Sequence, residues 1–226
     1  HVTVDPVRHI GIYSVSTDAH GERSFHYWRS ESAARRLFAA EETAMSMPDA
    51  DIIYLSGITL AILTSAARRR LLEILISRRL AGAKIAFDSN YRPKLWENAA
   101  AARRMMQALW DITDIALPSV DDEMVLFGDH TEAAVIDRFA GRNWDGIAIK
   151  RGMRGPISPG LDPEAHPDFP PAAKVIDTTA AGDSFNGGYL AAFLAGKGEA
   201  ERLAAGHALA ARVVGAPGAI IPRQDI

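Results

Sequence analysis

The chain contains no cysteine in its 226 residues. That excludes disulfide cross-links and thiol nucleophiles, and leaves the compartment to be argued on other grounds. No run of 18 apolar residues occurs, so no membrane span and no membrane partner are expected. The chain does not open on a signal-peptide pattern, and the expected compartment is the cytoplasm. An excess of positive charge is also missing. The 25 Lys and Arg against 28 Asp and Glu leave a formal charge of −3, which makes no electrostatic case for nucleic acid. The clusters Arg68-Arg69-Arg70 and Arg78-Arg79 fall in a helical stretch and read as a solvated face. None of the seven histidines falls into zinc-ligand spacing. What remains is an ordinary globular composition, 48% hydrophobic and 23% charged, of a length that suits one domain or one with a small appendage.

From Ala50 onward, strand and helix patterns alternate. Strands are expected at Asp51 to Ser56, Lys84 to Asp88, Ile112 to Leu117, Gly146 to Lys150 and Val175 to Ile176. Helices are expected at Leu60 to Leu80, Ala99 to Leu109, Asp121 to Phe127, Glu132 to Ala140, from Phe185 to Ala195, and at Glu199 to Val214. Continuous apolar strands alternating with helices predict an α/β fold with a doubly wound, mostly parallel sheet covered on both faces. In such sheets ligands bind beyond the carboxyl ends of the strands. Those ends carry Gly57, Asn90 to Arg92, Ser119, Arg151 and Asp183, residue types suited to phosphate and sugar. Two stretches depart from the alternation. Ile10 to Val15 and Ser24 to Arg29 flank the turn Asp18 to Gly21 and predict a β-hairpin. Gly152 to Ala172 holds six of the 12 prolines and is not expected to form regular structure.

Val175 to Leu194 reads V-I-D-T-T-A-A-G-D-S-F-N-G-G-Y-L-A-A-F-L. A short apolar run meets a turn of small residues, and a helix follows at once. The first N–H groups of a helix lack intrahelical partners and sit at the positive end of its dipole. With side chains as small as Ala180, Ala181 and Gly182, an anion can approach that backbone closely. Asp183 stands at the mouth of this anion site. A carboxylate beside a phosphate needs a chemical reason, and the best is a base that takes the proton of a hydroxyl attacking a phosphoryl group. The alternative is an acidic residue that merely decorates a first helical turn.

The string D-T-T-A-A-G-D-S-F-N-G-G closely resembles the C-terminal signature of the ribokinase-like (PfkB) carbohydrate kinases, with Ala180 where glycine is usual. Further segments resemble the 2-keto-3-deoxygluconate kinases of that family: G-E-R-S-F-H-Y-W-R (Gly21 to Arg29), Y-L-S-G-I-T-L-A-I-L (Tyr54 to Leu63), F-D-S-N-Y-R-P-K-L-W (Phe87 to Trp96) and G-A-I-I-P-R (Gly218 to Arg223). The resemblance implies phosphorylation of that acid sugar at O6 by ATP. It implies Asp183 as base and the Ala180, Ala181 and Gly182 backbone as anion hole. It assigns Tyr13, Tyr27, Arg29, Arg92 and Ile58, with Asp183, to the sugar. Asn90, Tyr91, Arg92, Lys150, Arg151, Gly152, Gly182 and His207 go to ATP. Mg²⁺ is implied mainly as the ATP complex, with Glu123 or Asp122 acting through water where the family's N-x-x-E motif would stand. Acidic residues of a first helical turn are the alternative there.

The residue types suit such a substrate. A sugar acid carries a carboxylate, which calls for arginine forks and hydroxyl-bearing aromatics. Tyr27 and Arg29 are two apart on a strand and so share a face. Tyr13, Tyr27 and Trp28 could instead be hairpin packing or a dimer interface, and Arg29 and Arg92 surface ion pairs. Residues 8–30 are expected as a small β lid through which a homo-oligomer forms, and 31–226 as the kinase domain. Family members carry a further N-terminal region, so residues beyond these 226 are expected before Ile10 and within Arg151 to Ala173. The alternative activities are a family kinase for a neutral sugar such as fructose or ribose, and a non-catalytic ligand-binding protein on the same fold.

Overall fold

The computed structural model describes residue 2 and residues 4–17, 23–39 and 47–222. The expected turn Asp18 to Gly21 lies outside them, as does Arg223. The chain divides into two compact units. One comprises His1–Ile85 with Arg92–Ile112, the other Ala86–Tyr91 with Thr113–Ile226.

In the first unit, β1 (Ile12–Thr17) and β2 (Arg23–Trp28) pair antiparallel, with Tyr13 opposite Tyr27 and Ile12 opposite Trp28. Alternation puts the two tyrosines on one face and Ile12 and Trp28 on the other. β3 (Ile52–Ser56) runs directly into α1 (Gly57–Ile62), and α2 (Ser65–Leu80) follows. The single helix expected over Leu60 to Leu80 is therefore two. Thr64 takes an extended conformation and its hydroxyl accepts the N–H of Ala67, so a fresh helix starts there.

Arg68, expected on a solvated face, is buried. Its Nε donates to the carbonyl of Leu60 at 2.7 Å and its Nη2 to that of Ala61 at 3.3 Å. Its Nη1 reaches the Glu97 carboxylate at 2.9 Å, and the guanidinium lies 4.4 Å from the Trp96 ring centre. The arginine thus caps the end of α1, where the Leu60 carbonyl also accepts the N–H of Leu63 at 3.2 Å. β4 (Lys84–Asp88) begins in this unit, where Lys84 N–H donates to Asp51 at 2.8 Å. α3 (Ala99–Trp110) is capped by Asn98.

In the second unit, the end of β4 pairs parallel with β5 (Ile115–Ala116), and β5 with β6 (Gly146–Ile147). Strand order within this unit is β4-β5-β6. The strands expected over Ile112 to Leu117 and Gly146 to Lys150 are shorter than the apolar runs suggest. Pro118 carries no N–H to continue the ladder, yet pairing resumes as a parallel bridge between Ser119 and Lys150. α4 (Val120–Phe127) and α5 (Glu132–Ala140) follow β5.

The proline-rich stretch forms two short 3₁₀ turns, Gly152–Arg154 and Pro163–Ala165. Ile157 between them makes an antiparallel bridge to Ile149. Val175 and Ile176 are not a strand. The N–H groups of Ile176 and Asp177 both go to the carbonyl of Val214, at 2.7 and 3.1 Å, so this backbone closes the end of a helix instead.

That helix is α7 (Glu199–Val214), and it packs on α6 (Ala181–Leu194). The two approach closely through glycine. A methyl group on Gly188 would stand 2.6 Å from the Ala205 carbonyl oxygen, and one on Gly206 2.9 Å from that of Phe185. The fully buried Tyr189 fills the space beside Gly146, and its hydroxyl donates to Glu199 at 2.7 Å. Burial and the Glu199 carboxylate both push that phenol's pKa up. These contacts fix the start of α6, where the site lies.

Candidate active site

The turn Asp177 to Ala180 is pinned at its first residue. The Asp177 carboxylate accepts the N–H of Thr179 at 2.8 Å and that of Gly218 at 3.0 Å. The turn ends at Ala180, whose φ of 61° and ψ of 17° are left-handed. Glycine adopts this conformation without penalty, and alanine pays about 1–2 kcal/mol for it. No side chain caps α6. The N–H of Ala181 is taken by the carbonyl of Thr178 at 3.2 Å. The N–H groups of Ala180, Gly182 and Asp183 have no hydrogen-bond partner among the described residues. The N–H groups left open at this turn are therefore those of Ala180, Gly182 and Asp183, with Ala181 spent on the turn. The Asp183 side chain is exposed in the first turn of α6.

A cavity of about 490 Å³ opens beside this turn. Ala181 and Gly182 form one side, with Phe185 behind them. Lys150, Arg151 and Gly152 form a second side; His207, Ala210 and Val214 of α7 a third. Pro171 and Ala172 close it. The walls are largely apolar, with Lys150 beside Gly182, an arrangement suited to a flat heterocycle carrying phosphates.

Lys150 is held there by two buried groups. Its Nζ lies 2.9 Å from Asp88 Oδ2 and donates to Asn186 Oδ1 at 3.0 Å. Asn186 Nδ2 donates to the same Asp88 oxygen at 2.7 Å, which closes a triangle. Neither Asp88 nor Asn186 is among the site residues expected from the sequence. The available signals were a carboxylate closing an apolar strand in F-D-S-N and an asparagine one turn after Asp183. Asn90 follows with a φ of 29°, rare for a side-chain-bearing residue, and donates its N–H to Asp88 Oδ1 at 3.1 Å. Its Oδ1 is buried and has no partner among the described residues.

Other expected residues take different places. Arg151 spends its guanidinium on structure: Nε goes to Gly155, Nη2 to Arg154 and Nη1 to Glu132. Three of its five N–H groups are thereby committed, and the residue still lines the cavity. Glu123, expected to act on Mg²⁺ through water, is fully buried and ion-paired with Arg138 at 2.7 Å. Arg138 also holds Asp129 at 2.6 Å, so this is a packing network of α4 and α5. Among the described residues no group of three or more His, Asp or Glu is placed to hold a metal ion. No helix among the described residues is long and apolar enough to cross a membrane.

The first unit gathers Tyr13, Tyr27 and Arg29. The tyrosine rings lie 6.0 Å apart, and the Arg29 guanidinium stacks 4.0 Å from the Tyr27 ring centre. Arg29 Nε is buried and has no hydrogen-bond partner among the described residues. Trp28 is 63% exposed on the other face of the hairpin, which removes hairpin packing as its role. Arg92 is exposed at the start of a 3₁₀ turn, and Ile58 is half-buried in the first turn of α1. Tyr91 is buried.

The pattern of pfkB family carbohydrate kinases matches residues 1–226. The chain is 40% identical over 221 residues to a 2-dehydro-3-deoxygluconokinase of Escherichia coli K12, covering 95% of this chain and 71% of that protein. It is 41% identical to the enzyme of that name from Dickeya dadantii, with the same coverage. Among solved structures, a putative ribokinase II from E. coli in complex with ATP and Mg²⁺ superposes with a TM-score of 0.77. It is 23% identical, over 95% of this chain and 67% of that one, and shares the fold. The turn, the cavity and these likenesses agree: the chain belongs to the pfkB family of carbohydrate kinases.

Proposed function

We propose that the protein transfers the γ-phosphoryl group of ATP to O6 of 2-keto-3-deoxygluconate, also called 2-dehydro-3-deoxygluconate. The observation that carries the reading is the start of α6. Partner-free N–H groups of Gly182 and Asp183 open beside an apolar cavity, with an exposed carboxylate in the same turn. In this reading Asp183 takes the O6 proton as that oxygen attacks phosphorus, and the bond to the leaving ADP breaks. The Ala180, Gly182 and Asp183 amides face the charge that develops on the transferred group. Lys150 meets the phosphates, and the cavity lined by His207 and Gly152 takes the base. Asn90 offers its buried Oδ1 to the same ligands. Mg²⁺ arrives with ATP and supplies charge neutralisation on its phosphates.

Arg29 and Arg92 take the sugar's carboxylate; Tyr13, Tyr27 and Ile58 take its body. The partner-free Nε of Arg29 supports this, because a buried guanidinium donor left unpaired is costly and a carboxylate satisfies it. The hairpin face with Ile12 and Trp28 exposed is the surface we assign to homo-oligomer formation. Light scattering of Trp28→Glu checks it; an unchanged mass would remove the assignment. The reaction itself is tested with Asp183→Asn. The kcat should fall by about 10²–10⁴ while ATP affinity stays within about twofold. A variant that keeps a third of the activity would show that Asp183 is not the base.

A further inference from the structure

The triangle of Asp88, Lys150 and Asn186 asks for an account of its own. Asp88 is 3% exposed and Asn186 1%, and burying a carboxylate and an ammonium together is weak evidence for stability. An ammonium has three N–H groups. Two are committed, to Asp88 Oδ2 and Asn186 Oδ1. A methyl group built on Gly182 would stand 3.9 Å from Nζ, so the ammonium lies alongside the opening of α6. Lys150 and Gly182 line the same cavity. A free lysine would lose much rotamer freedom on meeting a phosphate. Here the loss is already taken, because two side chains hold the ammonium in place. The pair is neutral overall, so Asp88 adds no net repulsion and the ammonium presents an incoming anion with a directed N–H.

We propose that Asp88 and Asn186 are positioning residues, which fix the Lys150 ammonium so that its third N–H contacts a nucleotide phosphate beside the first amides of α6. This rests on the reading of the cavity as the ATP site, and not on the choice of sugar.

The test is calorimetric titration of the full-length protein with ATP and, separately, with adenosine, for Lys150→Met, Asp88→Asn and Asn186→Ala. A charge-assisted phosphate contact is worth roughly a tenfold or larger factor in affinity. Lys150→Met should weaken ATP by at least about tenfold and leave adenosine within twofold. Asp88→Asn and Asn186→Ala keep the lysine but release it. Each should weaken ATP by about threefold to tenfold, again without effect on adenosine. A merely structural triangle would lower Tm in these variants and leave the ATP-to-adenosine ratio unchanged, which would overturn the proposal. Should Asp88→Asn not fold, the Asn186→Ala ratio decides alone. A wild type that binds no ATP would sink the cavity reading together with this one. A wild type that binds ATP but turns over a different sugar would leave these ratios untouched.

Discussion

His207 on α7 donates its Nε2–H to the carbonyl of Pro170 at 2.7 Å, since a carbonyl oxygen can only accept. The neighbouring Phe169 ring lies 5.1 Å from the imidazole and covers Gly155, where a methyl group would stand 2.6 Å from it. The proline-rich stretch is thereby fastened to α7, and its next residues, Pro171 and Ala172, wall the cavity. A neutral hydrogen bond of this kind is worth about 1 kcal/mol, or roughly fivefold in an equilibrium. His207→Ala should therefore raise the KM for ATP by about threefold to tenfold, with kcat within twofold. Steady-state kinetics at saturating sugar measure both. An unchanged KM for ATP would mean that the fastening does not shape the cavity.

Ala180 carries a conformational penalty that glycine would not. Glycine also frees the unfolded chain, which returns roughly 0.5–1 kcal/mol of the gain. Ala180→Gly should be stabilising by about 0.5 kcal/mol, a rise in Tm of about 1–2 °C for a chain of this size. Ala180→Val, with a β-branched side chain at positive φ, should fall by more than about 1 kcal/mol. Thermal unfolding of the pair checks it. A Tm that falls on going to glycine would contradict the strain.

The sequence was most legible where one local pattern decides one element. Lys84–Asp88, Glu132–Ala140 and Glu199–Val214 match their expected bounds residue for residue. It was least legible where a distant partner takes the backbone. Val175 and Ile176 have the apolar pair of a strand, but Val214, 38 residues on from Ile176, claims the N–H groups of Ile176 and Asp177. Arg68 lies in a run of three arginines that looks like a solvated face, and burial against Leu60 and Glu97 depends on two other segments folding onto it. In the site, D-T-T-A-A-G-D located the turn and the carboxylate. Which amide is spent, Ala181 rather than Ala180, follows from the left-handed residue and is visible only in the backbone.

Glu97 has its pKa lowered, first by the hydrogen bond from Arg68. A depressed folded-state pKa contributes stability above the unfolded value, near 4.5, which is lost as pH falls through the folded value. The Glu97 side chain is 52% exposed, so solvent screening limits the pair to about 0.5–1 kcal/mol. Glu97→Gln should be less stable than the wild type by that amount at pH 7, and the gap should close as pH falls well below the ordinary carboxylate range. Unfolding in urea at pH 7 and at the acid end measures it. A gap that persists at the acid end would show that charge is not its origin.

In the proposed reading, substrate choice rests on the arginines. Arg29 carries a buried Nε with no hydrogen-bond partner among the described residues, stacked on Tyr27. A carboxylate gives it a charge-assisted hydrogen bond, worth about 1.5–3 kcal/mol, and a neutral sugar does not. Each 1.36 kcal/mol is a factor of ten in rate, so the wild type should prefer 2-keto-3-deoxygluconate over fructose or ribose by about ten- to a hundredfold in kcat/KM. Arg29→Ala should remove most of that preference by harming the acid sugar, and should leave the low turnover of neutral sugars within about twofold. Arg92 is exposed, where solvent weakens a charge pair. Arg92→Ala should act in the same direction by a smaller factor. A coupled ADP-release assay over a small sugar panel reads these ratios. Equal turnover of a neutral hexose by the wild type would move the substrate to a neutral sugar. Because the proposed base Asp183 would act on a hydroxyl and not on the carboxylate, that proposal would survive the outcome.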